Sequence, residues 1–291
     1  MILVTGATGH YGTQAIKHLL KKGVAAASIV GLVRAQTENQ WLSQQGVLSK
    51  FGDYTNYESL VKAFEGIDKL LLVSSNDKEI DNRTTQHLNV IKAAQNAGVK
   101  QIVYTSFVRK TPFEDSVIAP FLASHVKTEQ TIKESGMAYT ILQNGIYQEM
   151  IPLFAGAKVA ETGIIMLPAE KGKASWVLRE ELAEAAAYTL TTEGHENKTY
   201  PLTNIKAVGF DDIAKEITHI LGRHIAYQSP STEEFSAMLR KFGIPDLYIG
   251  MFTMWGTALA EGMMDVEDTS LASLLGRKPT TVQQFITQVY S

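Results

Sequence analysis

Through the first half of the chain, short apolar runs alternate with stretches whose apolar residues recur every three or four positions. The run Ile2–Val4 predicts a first strand, and residues 28–33, 47–52, 69–74, 101–105 and 138–142 predict five more. Between the first two strands, residues 11–22 are amphipathic, with Ala15, Ile16, Leu19 and Leu20 on one face. Residues 57–64 predict a helix capped by Asn56. Residues 84–96 predict one closed by Ala97-Gly98, and residues 125–135 one stopped by Gly136. Strands spaced by helices in this rhythm imply right-handed crossovers and a parallel sheet. The unbroken apolar run at 70–73 suits a strand covered on both faces.

The second half is less regular. Short strands are expected at 164–167, 199–202 and 225–228, and helices at 180–190 and 211–221. Ser231 with Glu234, and Thr280 with Gln283, form capping-box patterns that open two further helices. No Pro/Gly-rich linker marks a boundary. The patterns suggest a sheet domain over residues 1–150 and a smaller α/β lobe over 151–291, covering a substrate at the sheet's C-terminal edge.

Composition narrows the chemistry. The 291 residues carry a net charge of −3, with basic residues scattered along the chain, so a nucleic-acid partner is not expected. There is no cysteine, which excludes a disulfide scaffold, a thiolate metal site and a catalytic thiol. His195 and Glu196 are too few for a metal site, and no metal is expected. Apolar runs are far too short to span a bilayer, so no membrane partner is expected. The first strand begins at once with no charged leader before it, so a cytoplasmic location is expected. Exposed apolar helix faces in the second half leave a homodimer open.

The first strand runs into Thr5-Gly6-Ala7-Thr8-Gly9-His10-Tyr11-Gly12, which opens a helix. Gly6 permits a tight turn, Gly9 removes a side chain where backbone approaches a pyrophosphate, and Gly12 lets the helix pack close. The N–H groups of the helix's first turn then face the phosphates, with Thr8, His10 and Tyr11 in the same loop. The chain is therefore expected to be α/β, a Rossmann-type doubly wound parallel sheet holding a dinucleotide. The alternative is a glycine-rich turn with no ligand. Strand two ends in Arg34, where an NAD-preferring site usually carries an acid; the first acid is Glu38. A guanidinium suits a 2′-phosphate, so NADP(H) is expected over NAD(H), unless Arg34 is simply solvated. By the same geometry Asp53 and Tyr54 lie near the adenine, and Ser74, Ser75, Thr105 and Ser106 near the ribose and nicotinamide. Each of these could instead serve as a strand-end or capping residue.

Several stretches carry a resemblance. Val4-Thr5-Gly6-Ala7-Thr8-Gly9, Gly52-Asp53-Tyr54, Lys69-Leu70-Leu71-Leu72-Val73-Ser74, Ala97-Gly98-Val99-Lys100, Tyr104-Thr105-Ser106, Tyr139-Thr140-Ile141-Leu142-Gln143-Asn144-Gly145 and Gly194-His195-Glu196-Asn197-Lys198-Thr199-Tyr200 make up the pattern. In these the chain resembles the atypical short-chain dehydrogenases, and most closely the NmrA-like group. That group includes NAD(P)H:quinone oxidoreductases and triphenylmethane reductases. The resemblance implies NADPH-dependent hydride transfer to a quinone or similar planar, dye-like electrophile without a flavin. It also implies that Asn144, Gly145 and Tyr147 sit beside the nicotinamide and the acceptor.

One departure bears on mechanism. Short-chain dehydrogenases commonly use Tyr-x-x-x-Lys on the helix after strand five, the tyrosine acting as acid. Lys127 matches the lysine, which implies a ribose contact and a catalytic role, unless it is simply a solvated lysine, but Ala123 stands at the tyrosine position. This argues against alcohol oxidation and sugar-nucleotide epimerisation. It tolerates quinone reduction, where the product oxyanion takes its proton from water and catalysis is mainly proximity. His125 is a candidate donor or cofactor contact, or else a packing residue. Tyr147 could stack on a planar acceptor or pack in the core. The stretch 251–264, with Phe252, Met254, Trp255, Met263 and Met264, reads as a soft pocket wall or as a buried helix face. The other functional reading is a redox-sensing regulator that binds NAD(P) and acts through a protein partner.

Overall fold

The computed structural model describes residues 1–34 and 39–291; Glu38 lies outside the described residues. A seven-stranded, wholly parallel sheet forms the centre, in the order β3-β2-β1-β4-β5-β6-β9. Its strands are β1 (Ile2–Val4), β2 (Ile29–Val33), β3 (Leu48–Phe51), β4 (Lys69–Leu72), β5 (Gln101–Phe107), β6 (Ala138–Asn144) and β9 (Lys198–Leu202). All five residues of β2 are buried, as a strand covered on both faces requires.

One face is covered by α1 (His10–Lys21), α2 (Gln40–Gln44), α8 (Arg179–Thr191) and α12 (Ser270–Leu275). The other is covered by α3 (Tyr57–Phe64), α4 (Ile80–Asn96) and α5 (Ala119–Glu134). Helix α1 buries Ala15, Ile16 and Leu19, the stripe expected from its periodicity. It meets Ala183, Ala186 and Ala187 of α8, whose small side chains let the two helices approach closely.

The remaining elements build a lobe. They are β7 (Ile164–Met166), parallel to β11 (Ala226–Gln228), and β8 (Lys173–Ala174), antiparallel to β10 (Val208–Gly209). Around them stand α6 (Ile151–Ala155), α7 (Val159–Thr162), α9 (Phe210–Leu221), α10 (Thr232–Lys241), α11 (Asp246–Ala260) and α13 (Val282–Tyr290). Phe154, Trp176 and Phe210 pack edge to face or tilted at its core, with centroids 6.0–6.3 Å apart.

The structure departs from the sequence patterns in instructive ways. Residues beyond 150 do not all join the lobe, because β9 returns to the sheet edge and α8 and α12 cover its face. Helix α5 starts six residues before 125, since Pro120 sits in its first turn, where no N–H is needed. The final capping box is shifted by one residue to Thr281 and Gln284. Thr280 instead gives its N–H and hydroxyl to Glu181, each at 3.0 Å.

Candidate active site

Gly6 adopts φ +59°, a conformation costly for any residue with a Cβ. A Cβ on Gly12 would lie 2.3 Å from the Gly6 carbonyl oxygen, so the first turn of α1 rests directly on the loop. Gly9 caps α1 without a side-chain hydrogen bond, and no acidic residue occupies the first turn. The first N–H groups of α1 are therefore left for an anion. Thr8, Gly9 and His10 are exposed. Tyr11 turns inward and donates to the Leu182 carbonyl at 3.0 Å; burial pushes its phenol above the ordinary range.

From this loop an elongated groove of about 710 Å³ runs in both directions across the C-terminal strand ends. At one end are Arg34 and Asp53. Asp53 accepts from the Thr55 N–H at 2.8 Å and its hydroxyl at 2.7 Å. Those bonds, aided by Arg34, hold its carboxyl below the usual range. The hydroxyl of Tyr54 lies 2.5 Å from Thr5 Oγ1 and 2.8 Å from the Val73 carbonyl oxygen. Ser74 and Ser75 line the middle of the groove. The Ser74 N–H donates to Thr105 Oγ1 and the Ser75 N–H to His87 Nε2, both at 2.8 Å. The Ser75 hydroxyl donates to Gln86 at 2.5 Å, which fastens this loop to α4. At the far end the Arg179 guanidinium lies 4.8 Å from the Tyr147 ring centroid. Burial raises the Tyr147 phenol and Arg179 opposes that rise.

Of the positions singled out from sequence, Gly6, Thr8, Gly9, His10, Tyr11, Gly12, Arg34, Asp53, Tyr54, Ser74, Ser75 and Tyr147 converge on the groove. Six others lie elsewhere, each for a physical reason. Thr105 is buried beneath Ser74 and serves it as acceptor. Ser106 donates to Glu129, a buried carboxylate paired with Arg109 through two bonds of 2.8 Å. Asn144 is buried at the end of β6, behind the groove-lining Tyr11 and Tyr147, whose phenols its amide faces. Gly145 is needed for packing: a Cβ there would lie 2.9 Å from the Ser175 carbonyl oxygen. Lys127 stands on the exposed flank of α5, opposite the face that packs on the sheet. His125 lies on that inner face, 1% exposed. Its Nε2 is 2.8 Å from Arg83 Nη2 and its Nδ1 2.8 Å from the Tyr104 hydroxyl. Burial and Arg83 push its pKa well below the usual value, so the ring is neutral and structural in its bonding.

Arg179 and Gln86 line the groove, yet no motif marks them in the sequence. They start on α8 and near the middle of α4, and only the fold brings them to one place. In the stretch 251–264, Phe252, Met254, Trp255 and Met263 pack half-buried against the lobe core and Met264 is fully inside.

The groove's chemistry fits a dinucleotide phosphate. Free helix N–H groups stand at its middle, Arg34 stands at the end of β2 with Asp53 near it, and aromatic surface closes the far end. No described helix is long and apolar enough to cross a membrane.

The NmrA-like family model matches residues 1–286. The chain is 35% identical to quinone oxidoreductase 2 of Escherichia coli over 291 residues, 100% of this chain and 99% of that protein. It superposes on the NADPH complex of the Escherichia coli NADPH-dependent quinone oxidoreductase with TM-score 0.92 at 34% identity, over 100% of each chain. The Citrobacter sp. triphenylmethane reductase, complexed with NADP(H), gives TM-score 0.91 at 36% identity, again over 100% of each chain.

Proposed function

Because this chain belongs to the NmrA-like family, we propose that it reduces a quinone or similarly planar electrophile with NADPH, without a flavin. It is an NAD(P)H-dependent oxidoreductase, and the family's quinone and dye reductases support that acceptor class. The observation that carries the reading is the uncapped, acid-free first turn of α1 in a groove that ends at Arg34.

The reduced nicotinamide, when bound, supplies a hydride. The chain's own residues bind and orient. The first-turn N–H groups of α1 take the pyrophosphate, and Arg34 takes the 2′-phosphate in preference to a bare ribose. Asp53 and Tyr54 border the adenine end. Ser74 and Ser75, held by Thr105 and His87, form the rigid floor between the two ends. Tyr147, with Arg179 over its ring, offers an aromatic face to the acceptor. Ala123 leaves α5 without a phenol acid, which suits an acceptor whose oxyanion is protonated by water.

The test is NADPH oxidation by purified protein, followed at the nicotinamide absorbance with and without 1,4-benzoquinone and with no flavin added. Quinone-dependent turnover above background, faster with NADPH than NADH, is expected. Tight NADPH binding with no turnover on several quinones and dyes would replace this reading with that of a redox sensor.

A further inference from the structure

Arg83 and Arg109, both drawn in among the packed helices, are treated very differently. Arg109 is answered by Glu129 through two parallel bonds of 2.8 Å. Arg83, on α4 and 5% exposed, has no carboxylate partner among the described residues. Its Nη2 donates to the neutral His125, its plane lies 4.6 Å from the Phe121 ring centroid, and its buried Nε makes no hydrogen bond. An arginine stays charged at any ordinary pH. Burying one without a counter-ion is costly, and a fold that pairs Arg109 so completely has the means to avoid that cost.

The position of Arg83 gives the cost a purpose. Gln86, one helical turn further along α4, lines the groove, and so does Tyr147. Arg83 and Tyr147 are close enough to act on each other's ionisation. The half-buried rings of Phe107, Phe121 and Trp255 stand together beside it, with centroids 5.2–5.7 Å apart. These rings and Tyr147 make up the aromatic surroundings of the cation.

We propose that Arg83 receives the negative charge that develops on the reduced acceptor, an electrostatic substitute for the absent tyrosine acid. It rests on the reductase reading above. His125 and Tyr104 are positioning residues: Arg83 donates to Nε2, so the Nδ1 proton faces the Tyr104 hydroxyl, and the guanidinium is held from behind. The balance is simple. A hydride bonds to one quinone oxygen, both C=O π bonds are lost as the ring becomes aromatic, the second oxygen is left as O⁻ beside Arg83, and water gives it the proton that completes the hydroquinone, leaving hydroxide. Arg83 itself transfers nothing.

The test joins kinetics to a spectroscopic readout. Arg83→Met keeps the contact with Phe121 and removes the charge. Its kcat with 1,4-benzoquinone is expected to fall about 100- to 1000-fold, the usual effect of losing one oxyanion donor, with a smaller change in KM. Arg83→Lys restores part of the rate. Independently, 4-nitrophenol is titrated into wild type saturated with NADPH, at a pH one unit below its solution pKa. The bound phenol is expected to show the phenolate absorbance in wild type and to lose it in Arg83→Met. No phenolate in the wild-type complex, or the same phenolate signal in both proteins, overturns the proposal. So does a variant that melts lower yet turns over like wild type, which would make Arg83 a packing residue. If wild type reduces no acceptor at all, the reductase reading fails, while the nitrophenol titration still decides whether Arg83 holds an anion.

Discussion

Replacing Glu129 with glutamine removes one charge and leaves the shape. Glu129 is 4% exposed, and it accepts from Arg109 at 2.8 Å on each oxygen, from Ser106, and from Gln143 at 3.3 and 3.4 Å. Burial alone would raise its pKa, but the bonds from Arg109 and Ser106 outweigh burial and hold it below the usual carboxylate range. The amide leaves the Arg109 side chain, 12% exposed, with no counter-charge. Breaking a buried pair from one side costs about 3–5 kcal/mol. At about 2–4 °C per kcal/mol for a domain of this size, Glu129→Gln should melt roughly 6–20 °C below wild type. Thermal unfolding followed by circular dichroism at neutral pH measures this. The double variant Glu129→Met with Arg109→Met should recover much of the loss, since no buried charge remains. A single variant within about 2 °C of wild type would mean the pair is worth no more than a surface ion pair, and the reasoning fails. Acid adds a second check. A depressed folded pKa means the stabilisation is present above the unfolded value and is lost as pH falls through the folded one. The single variant should therefore show a flatter acid limb.

Other consequences can be measured separately. Arg34→Ala should weaken NADPH binding by about 1–3 kcal/mol, the worth of one charge-assisted bond, and leave NADH unchanged; equal losses by fluorescence titration would remove the 2′-phosphate assignment. His87, with its Nε2 accepting from Ser75 and its pKa pushed down to about 3 by burial and Arg83, stays neutral when folded. Unfolded, it binds a proton from near the ordinary value of 6.5, so stability should fall as pH drops from there toward 3, by on the order of 4 kcal/mol. His87→Asn should lessen that slope in melts taken across pH, and an unchanged slope would assign the acid lability elsewhere. Ala123→Tyr completes a Tyr-x-x-x-Lys spelling, yet NADP⁺-dependent alcohol oxidation should stay absent; its appearance would mean that α5 presents this face to the groove.

Much of the sheet was legible because its code is local. Strand β1 and helix α3 fall where the patterns place them, and Asn56 caps α3 by accepting from the Ser59 N–H at 3.1 Å. The glycine loop was legible for the same reason, since three glycines, a strand and a helix fit within a dozen residues. What stayed hidden is long-range. Nothing in 198–202 says that this short strand closes the sheet beside β6, whose paired residues lie 58 positions earlier. Arg179 has no spacing relative to Tyr147, although the fold stacks them. Arg83 reads as one polar residue on a polar helix; its meaning lies in the carboxylate that is not beside it.

Helix phase explains why the family's lysine was misleading as a guide to the site. Residues four apart share a helix face, so Ala123 and Lys127 must point the same way, and in α5 that way is out. The inner face is set by Ser124, His125, Thr128, Glu129 and Ile132, which pack toward β5, β6 and α4. Every polar group on that face is already engaged: Thr128 with His87, Glu129 with Arg109, His125 with Arg83 and Tyr104. A helix committed in this way has no free acid to offer on this face, and His125 links it to the buried cation Arg83. On the proposal above, the charge that a phenol acid would have answered is met by a cation on α4, the neighbouring helix of the same layer. If the proposal holds, the site favours acceptors that need their charge held while water supplies the proton over alcohols, whose oxidation needs a base at the carbinol oxygen.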